Sequence, residues 1–326
     1  MKGTETAQKW ASAINVVTIG ATPAEGGTRS ARVSVGGANC IPWLSFEGDI
    51  GNRPALAVEI WDSNGETWAG ELKRQYGDAV KDPVKWAKKA AELGPDMICV
   101  KFMGTHPELG NRGPDESVAV LKGILAEVKL PLIVWGCGIE DKDNVVLPRL
   151  SEAAKGENCL FGTIKEKNYR TLVAACLADG HKILAESPLD INIAKQVNIL
   201  AHDAGFPLEN IVMFPSTTCL GYGFEYVYSI MERSRTTGLG GDPLLKQPIL
   251  CDVGTEAWRA KEAQATDDLL PGLGPAAERG PLWETLTATN FLQSGVDILN
   301  LRHPKAVEAV RKAIDRLVAG AKASAS

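Results

Sequence analysis

The chain has 326 residues, of which 44% are hydrophobic and 23% are charged, a composition typical of a globular protein with a large core. Its 35 Lys and Arg residues and 40 Asp and Glu residues give a net charge of −5, and no basic run is present, which argues against a nucleic-acid partner. No apolar run reaches the roughly 18 residues of a membrane span, and the first ten residues lack the apolar core of a signal peptide. We therefore expect a cytoplasmic protein with no membrane partner.

Residues 1–50 are predicted to form an N-terminal extension that contains a β-hairpin. Apolar and polar residues alternate at 14–19 and at 31–35, and a polar stretch with Gly26 and Gly27 separates the two runs. We expect this hairpin to cover the bottom of the main domain or to pair with a partner.

Residues 51–326 are predicted to form one domain of alternating strands and helices. The first strand is predicted at 55–61, and Asp82 and Pro83 are a good N-cap and first-turn pair for the helix that follows. A long loop rich in Gly, Pro and Asp is expected after the seventh strand, up to about Arg279. The further strands are predicted at 96–102, 131–136, 158–163, 181–185, 210–214, 247–253 and 296–301, and the further helices at 114–128, 143–155, 168–179, 190–204, 223–235, 281–294 and 304–318.

Eight consecutive strand–helix units predict the α/β fold class and, within it, a (β/α)₈ TIM barrel with an N-terminal β-hairpin extension. The alternative is a doubly wound open sheet, which often carries a glycine-rich first turn. Residues 62–66 after the first strand read DSNGE rather than GxGxxG, and no P-loop motif is present. Neither dinucleotide binding nor P-loop chemistry is therefore indicated.

In such a barrel the functional groups lie at the carboxyl ends of the strands. The predicted strand ends hold glycines and small polar residues and few strong acids, bases or nucleophiles, which favours holding a large polar ligand or a protein face over proton transfer. Cys137, between Gly136 and Gly138, is interpreted as part of a close-packed turn. Asp62, Asp252 and Asn300 end the first, seventh and eighth strands, where they are able to bond the edge of a flat heterocycle.

Glu59 and Lys101 are predicted to point the same way from adjacent strands. One interpretation is a Schiff-base amine at Lys101 with Glu59 beside it, and the preferred one is a structural ion pair inside the barrel. His106 and His303 fall near the top of the barrel, without the acidic neighbours that would favour a zinc site.

The seven cysteines are scattered, with no two closer than 17 residues. Iron–sulfur and structural zinc sites usually contain at least one closely spaced pair. We expect reduced, buried thiols and no metal held by this chain.

Two stretches after the sixth and seventh strands are distinctive: residues 216–226 read STTCLGYGFEY and residues 254–262 read GTEAWRAKE. Together with Trp61, Asp62 and the sequence VWGCG at 134–138, they closely resemble the small subunit of the corrinoid iron–sulfur protein, whose methanogen counterpart is the delta subunit of acetyl-CoA decarbonylase/synthase. The resemblance covers about residues 14–320.

The resemblance implies a TIM barrel that is the non-catalytic small subunit of a heterodimeric methyl carrier in the reductive acetyl-CoA (Wood–Ljungdahl) pathway. The large subunit would hold the four-iron four-sulfur cluster and most of the corrinoid, a cobalamin-type cofactor, and the top of this barrel would cap the corrinoid at the interface. The further partners implied are methyltetrahydrofolate methyltransferase and acetyl-CoA synthase. The corrinoid-contacting residues are expected among the strand ends: Asp62, Gly136, Cys137, Gly138, Thr163, Ser187, Ser216, Thr217, Thr218, Asp252 and Asn300.

The alternative is an active pterin-dependent methyltransferase that binds methyltetrahydrofolate, because pterin-binding barrels use Asp and Asn side chains at strand ends.

For the capping function, neutral hydrogen bonds would suit a cover that must open for two methyl-transfer partners. We therefore expect bulky apolar replacements of Thr217 and Thr218 to loosen the capped state.

Overall fold

The computed structural model describes residues 7–63 and 65–325, and it begins with the predicted hairpin. Strands β1 (Val16–Ile19) and β2 (Val33–Gly36) pair antiparallel, with Val17 opposite Val35. The apolar side chains of these strands pack against residues inside the barrel, among them Ala55 and Met97. The hairpin therefore closes the amino-terminal end of the barrel, which is one of the two positions predicted for it.

Eight parallel strands follow in a nearly closed barrel, and the predicted fold class is confirmed. Each neighbouring pair of strands forms a continuous ladder except β8 and β9, which only a single bridge between Met213 and Ile249 joins. The barrel strands are β3 (Ala55–Trp61), β4 (Met97–Lys101), β5 (Leu132–Trp135), β6 (Leu160–Ile164), β7 (Lys182–Glu186), β8 (Ile211–Phe214), β9 (Leu250–Cys251) and β10 (Ile298–Leu301).

Helices surround the barrel and bury one face each against the strands. Asp82 caps the helix that its position predicts it to open, since its carboxylate accepts hydrogen bonds from the N–H groups of Val84 and Lys85. The helices are α1 (Gly70–Tyr76), α2 (Pro83–Ala91), α3 (Pro114–Glu127), α4 (Glu140–Ala153), α5 (Tyr169–Asp179), α6 (Ile191–Asp203), α7 (Phe224–Leu239), α8 (Val253–Ala257), α9 (Lys261–Gln264), α10 (Ala276–Gln293) and α11 (Pro304–Ala325).

The structure differs from the sequence prediction at α1, a helix that the sequence pattern does not predict, and above all between residues 247 and 281. The seventh barrel strand has two residues instead of seven, the expected loop contains α8 and α9, and α10 begins five residues before Pro281. Pro281 lacks the N–H that would complete the helical ladder at this point. The first turn of α10, which precedes Pro281, is stabilised by contacts with the preceding loop: the Arg279 guanidinium donates to the carbonyls of Ala265 and Leu270.

Apolar side chains form two layers of core, one between strands and helices and one inside the barrel. The inner layer, which includes Cys99, Ile133, Leu184 and Val212, fills the lower half of the barrel together with the hairpin. Polar groups are therefore concentrated in the upper half, at the carboxyl ends of the strands. No helix in the described ranges is both long and apolar enough to cross a bilayer.

Candidate functional site

The carboxyl ends of the barrel strands surround an open cavity of about 620 Å³, here called the mouth. Aromatic rings form much of its wall, contributed by Trp61, Trp68, Trp135, Phe214 and Trp258. Charged side chains also line it, and these are Lys101, Lys165, Glu186, Asp252, Glu256, Arg259 and Arg302. The expectation of few acids and bases at the strand ends is therefore wrong.

A buried ion network forms the floor of the mouth. The Lys101 ammonium lies 2.5 Å from a carboxylate oxygen of Asp252 and 3.0 Å from one of Glu59. The Arg302 guanidinium lies 2.5 Å from the other oxygen of Glu59. The ion pair that sequence alternation predicts for Glu59 and Lys101 is present, and two further charges from the ends of β9 and β10 complete it.

The network determines the charge of Glu59 and Lys101. Burial by itself would raise the pKa of Glu59, but Arg302 and Lys101 outweigh burial and hold that pKa below its ordinary value. Burial likewise favours a lower pKa for Lys101, and the carboxylates of Asp252 and Glu59 overcome it and raise the pKa. Lys101 is therefore an ammonium without a free electron pair, which disfavours the Schiff-base interpretation.

Two neutral side chains connect these charges. The Thr255 hydroxyl accepts a hydrogen bond from Lys101 at 2.7 Å and donates to Glu59 at 3.0 Å. Asn300 is fully buried, and its side-chain amide donates to Glu59 at 3.1 Å and to Asp252 at 2.8 Å. Thr255 was missed at the sequence level, although it lies in the distinctive stretch at 254–262.

The charges at the rim of the mouth are paired as well. Lys165 lies 3.2 Å from Glu186, and Arg259 lies 2.7 Å from Glu256. Every charged side chain that lines the mouth therefore has an oppositely charged partner within this chain.

The aromatic walls pack around the cations of the floor. The Trp135 and Phe214 rings meet edge to face at 5.0 Å, and the Lys101 ammonium lies 4.9 Å from the centre of the Trp135 ring. The Arg302 guanidinium lies 4.5 Å from the centre of the Trp68 ring. Cation–π contacts of this kind add to the ion pairs and hold the rings in place.

Asp62 does not line the mouth, although it directly follows β3. Its side chain is fully buried and accepts a hydrogen bond from the Gly104 N–H at 2.6 Å, while Arg112 lies 3.6 Å away. Burial raises the pKa of Asp62 to about 6. Asp62 thus holds the segment after β4 against the barrel.

The turn at Gly136, Cys137 and Gly138 does line the mouth, and Asp143 shapes it. The Asp143 carboxylate accepts hydrogen bonds from the N–H groups of Cys137 at 2.8 Å and Gly138 at 2.9 Å. A Cβ on Gly136 would lie 2.4 Å from this carboxylate, so only glycine fits. The sequence pattern places Asp143 at the start of a helix, but α4 begins at Glu140, and Asp143 points back to bind the turn.

The small polar residues at the end of β6 and after β7 and β8 mostly bond within the chain. Thr163 donates to Glu186 at 2.5 Å, and the Ser216 hydroxyl donates to the Ser187 carbonyl at 2.7 Å. The Thr217 hydroxyl accepts the Asp252 N–H at 2.9 Å and so ties this loop to β9. A bulky residue at Thr217 would break this tie, which complicates the expected loosening of a cap by such a replacement.

The structure thus brings some of the predicted residues to the mouth and not others. Those that line it are Gly136, Cys137, Gly138, Ser216, Thr217 and Asp252. Ser187 lines a neighbouring groove. Asp62, Thr163, Thr218 and Asn300 are not among the residues that line either space.

The seven cysteines are all buried free thiols. Burial raises the pKa of Cys137, whose loop lines the mouth, so its thiol stays protonated near neutral pH. Within the described residues, no three His, Cys, Asp or Glu side chains converge as a metal site would require.

The eight parallel strands and their surrounding helices place the protein in the structural class of (β/α)₈ TIM barrels. Solved barrels of this class include the dihydropteroate synthase of Xanthomonas albilineans with 4-aminobenzoic acid, at a TM-score of 0.55 and 14% identity, over 82% of this chain and 93% of that one. The dihydropteroate synthase of Thermus thermophilus matches at a TM-score of 0.52 and 16% identity, over 83% and 95% of the two chains. At these identities the likeness shows the fold alone.

Sequence comparison shows the family. Residues 16–270 match the model of the CO dehydrogenase/acetyl-CoA synthase delta subunit, and the chain belongs to that family. Acetyl-CoA decarbonylase/synthase complex subunit delta of Archaeoglobus fulgidus is 33% identical over 95% of this chain and 70% of its own length. The same subunit of Methanopyrus kandleri is 34% identical over 93% of this chain and 75% of its own length. The family resemblance predicted from the sequence motifs is confirmed.

Proposed function

We propose that this chain is the non-catalytic small subunit of a cytoplasmic, heterodimeric corrinoid iron–sulfur methyl carrier, and that the mouth of its barrel covers a corrinoid held mainly by the large subunit. Membership of the delta subunit family supports a role within an acetyl-CoA-forming complex. Delivery of a methyl group from a methyltetrahydrofolate methyltransferase to an acetyl-CoA synthase belongs to the same proposal.

One observation carries the proposal: every charged side chain lining the mouth is neutralised within the chain. A general base or acid must have a proton-accepting or proton-donating group free to meet the substrate. Here the acids and bases hold one another in place. The pairs of the floor are buried, and the charges that stay accessible at the rim are already paired with each other, which suits a cover.

The chemistry of the mouth also fits a corrinoid. A corrinoid is a wide, flat macrocycle that supplies a cobalt centre able to carry a methyl group, and neutral amide arms surround its ring. Trp135, Phe214 and Trp258 give the mouth an apolar wall for the ring, and the backbone at Gly136 and Gly138 allows close approach. Ser216 offers a hydroxyl at the rim for an amide arm.

The pterin-dependent alternative is less well supported by the same geometry. Pterin recognition would require free carboxylate and amide groups at the strand ends. Asp62 is buried beneath the segment after β4, and Asp252 and the Asn300 NH2 group already bond to neighbours in the ion network. The Asn300 oxygen has no partner, but Asn300 does not line the mouth. The dihydropteroate synthase likeness does not weigh against this, because it concerns the fold only.

Co-expression with the large subunit of the same organism tests the proposal. The purified pair should contain cobalt and about four iron atoms per heterodimer, while this chain expressed alone should be colourless and free of iron. Cobalt in the large subunit alone should be oxidised by air faster than in the heterodimer, because the cover is missing. Equal oxidation rates would contradict the capping function, and tight binding of methyltetrahydrofolate by this chain alone would favour the pterin-dependent alternative.

A further inference from the structure

One wall of the mouth is held from behind by a buried carboxylate. Glu284 on α10 is fully buried and lies outside the set of residues that line the mouth. Its carboxylate accepts a hydrogen bond from the indole N–H of Trp258, a residue of the wall, at 2.7 Å. Glu284 is therefore the side-chain partner that fixes the polar edge of this ring.

The same carboxylate binds two backbone groups at the end of β10. The Arg302 N–H donates to Oε1 at 2.5 Å, and the His303 N–H lies 3.4 Å from Oε1 and 3.2 Å from Oε2. Both groups directly follow a strand of the barrel, which fixes their positions. The Trp258 indole bonds to Oε2, and of the three donors it alone belongs to a side chain.

A proton on Glu284 would remove one of these acceptors. An ionised carboxylate accepts at both oxygens, whereas a protonated one carries an O–H donor on one of them. Since the Arg302 N–H holds Oε1 at the shorter distance, the proton goes to Oε2, and the Trp258 indole loses its charge-assisted hydrogen bond. Burial raises the pKa of Glu284 to about 7, so this proton binds in the neutral range.

The groups around Glu284 do not titrate in the same range. The Arg302 guanidinium and the hydrogen bonds to the carboxylate lower the pKa of Glu284, but burial outweighs them. The His303 ring has a pKa of about 4, and burial raises the pKa of Tyr76 above its ordinary value. The charged and titratable groups that neighbouring elements place near Glu284 or its donors are Arg302 and His303 after β10, Glu71 and Tyr76 on α1, Glu256 on α8 and Lys305 on α11.

The Trp258 ring is packed on two sides and borders the mouth on another. α10 lies directly against it, since a Cβ on Gly280 would collide with the ring. The His303 ring stacks on it, with the ring centres 5.8 Å apart. The mouth is the open space beside the ring, so a ring that Glu284 no longer holds moves towards the mouth and changes the shape of its wall.

We propose that Glu284 is a positioning residue for the wall of the mouth, and that proton uptake by its carboxylate releases the Trp258 ring. The inference goes beyond the proposed function, because it concerns this chain alone and holds for any ligand or partner that meets the mouth. It makes the shape of the mouth depend on pH.

The test follows the indole N–H signal of Trp258 in the ¹H–¹⁵N spectrum of the full chain, labelled at its eight tryptophans. Trp258→Phe assigns the signal by its loss. We expect the signal to move along one titration curve with a midpoint near pH 7, towards the position of an indole without a carboxylate partner at the acidic end. A midpoint near pH 4 would assign the change to His303, and a signal that does not move between about pH 5 and about pH 8 would show a purely structural contact; either result overturns the proposal.

Two variants identify the group that takes up the proton. Glu284→Gln is neutral and has a single acceptor oxygen, so its Trp258 signal should lie near the acidic position of the wild type and stay there at every pH. Glu256→Gln is the matched control, because burial also raises the pKa of Glu256, two residues before Trp258, but the indole does not donate to it. This variant should keep the wild-type midpoint.

The outcomes remain decisive if Glu284→Gln does not fold. The wild type and Glu256→Gln then decide, because a midpoint lost in Glu256→Gln assigns the proton to Glu256 and overturns the proposal. A folded Glu284→Gln chain whose Trp258 signal still titrates near pH 7 overturns it as well. None of these measurements involves a corrinoid, so failure here leaves the proposed function to its own test.

Discussion

Lys101 lies between two buried carboxylates, Glu59 and Asp252, and its ammonium pairs with both. Removing one member of a buried ion pair usually destabilises a protein by about 3–5 kcal/mol, because an uncompensated charge remains. We expect Lys101→Met to lower the free energy of unfolding by this amount in urea titrations. The double variant Lys101→Met with Asp252→Asn should recover part of the loss, because Arg302 still neutralises Glu59. A single variant as stable as the wild type would show that the network is not a structural unit.

His303 is a buried histidine whose pKa burial lowers from 6.5 to about 4. Between these two values the unfolded chain binds a proton that the folded chain does not, so the stability falls as the pH falls from 6.5 towards 4. At about pH 5 this single group should lower the free energy of unfolding by about 2 kcal/mol relative to about pH 8.

His303→Asn isolates this effect. The His303 ring accepts the Lys305 N–H at the start of α11, and an Asn oxygen is able to accept the same bond. The difference in stability between wild type and variant should shrink or reverse on going from about pH 8 to about pH 5, because only the wild type takes up the proton on unfolding. Other buried acids contribute equally to both proteins. A difference that does not change with pH would contradict a lowered pKa.

Also at the residue level, strand alternation is enough to predict that Glu59 and Lys101 face each other. Strand alternation does not predict that Arg302 and Asp252 join this ion pair. These residues follow β10 and β9, and they meet β3 and β4 only when the barrel closes. Asp143 is misplaced for a similar reason, since the N–H groups that it binds lie in the turn before its helix.

Among the structural elements, the hairpin depends on one buried arginine. The Arg29 side chain is fully buried, lies 2.8 Å from Glu157 and donates to the carbonyls of Leu125 and Val128 at the end of α3. This residue therefore fastens the segment between β1 and β2 to the barrel. No local pattern indicates this role, because the partners lie far away along the chain.

We expect Arg29→Met to lower the free energy of unfolding by about 3 kcal/mol, because it removes the cation paired with Glu157 and the donor to two carbonyls. Limited proteolysis should then cut between β1 and β2 before it cuts the barrel. Arg32→Met is the control: Arg32 forms an exposed pair with Glu25, and such pairs contribute less than about 1 kcal/mol. Similar effects of the two replacements would contradict the fastening role of Arg29.

The strands and most helices are predictable within a few residues, because their apolar periodicity is set by burial on the barrel. The region from β9 to α10 is not predictable in this way. Its two short helices, α8 and α9, show no apolar periodicity of their own and are stabilised by contacts with other parts of the chain. One such contact is the bond from the Trp258 indole to the buried Glu284 on α10, at 2.7 Å. The pattern of apolar residues along the sequence does not predict such polar contacts.

On the scale of the whole molecule, one exposed apolar surface is a candidate for contact with a partner subunit. Six large apolar side chains among the described residues are between 44% and 68% exposed within one region of the sequence: Tyr222, Tyr226, Leu269, Leu273, Leu282 and Leu286. Contacts within the chain bring this region together, because Tyr222 bonds to Glu262 and Arg279 bonds to the Leu270 carbonyl. An exposed apolar surface of this kind on a globular protein is typical of an interface.

The large subunit is the partner that we expect on this surface, which is here called the α10 face. Asp267, Asp268 and Glu278 border it and are exposed, so a matching partner surface has an apolar centre and a basic edge. The hairpin packs one face on the barrel and exposes Val16 on β1, and it stays a second candidate for partner contact.

Leu282→Glu combined with Leu286→Glu should weaken binding of the large subunit by about 100-fold or more, because it places two charges at the centre of the apolar surface. Val145→Glu combined with Leu177→Glu is the matched control, since both residues are exposed and apolar but lie on α4 and α5. Sedimentation of the mixed subunits measures both affinities, and circular dichroism checks that each variant is folded. If the α10 variant keeps wild-type affinity, or if the control loses as much affinity, the partner binds another surface. In either case the cobalt content of the purified complex tests the proposed function of the mouth independently of the α10 face.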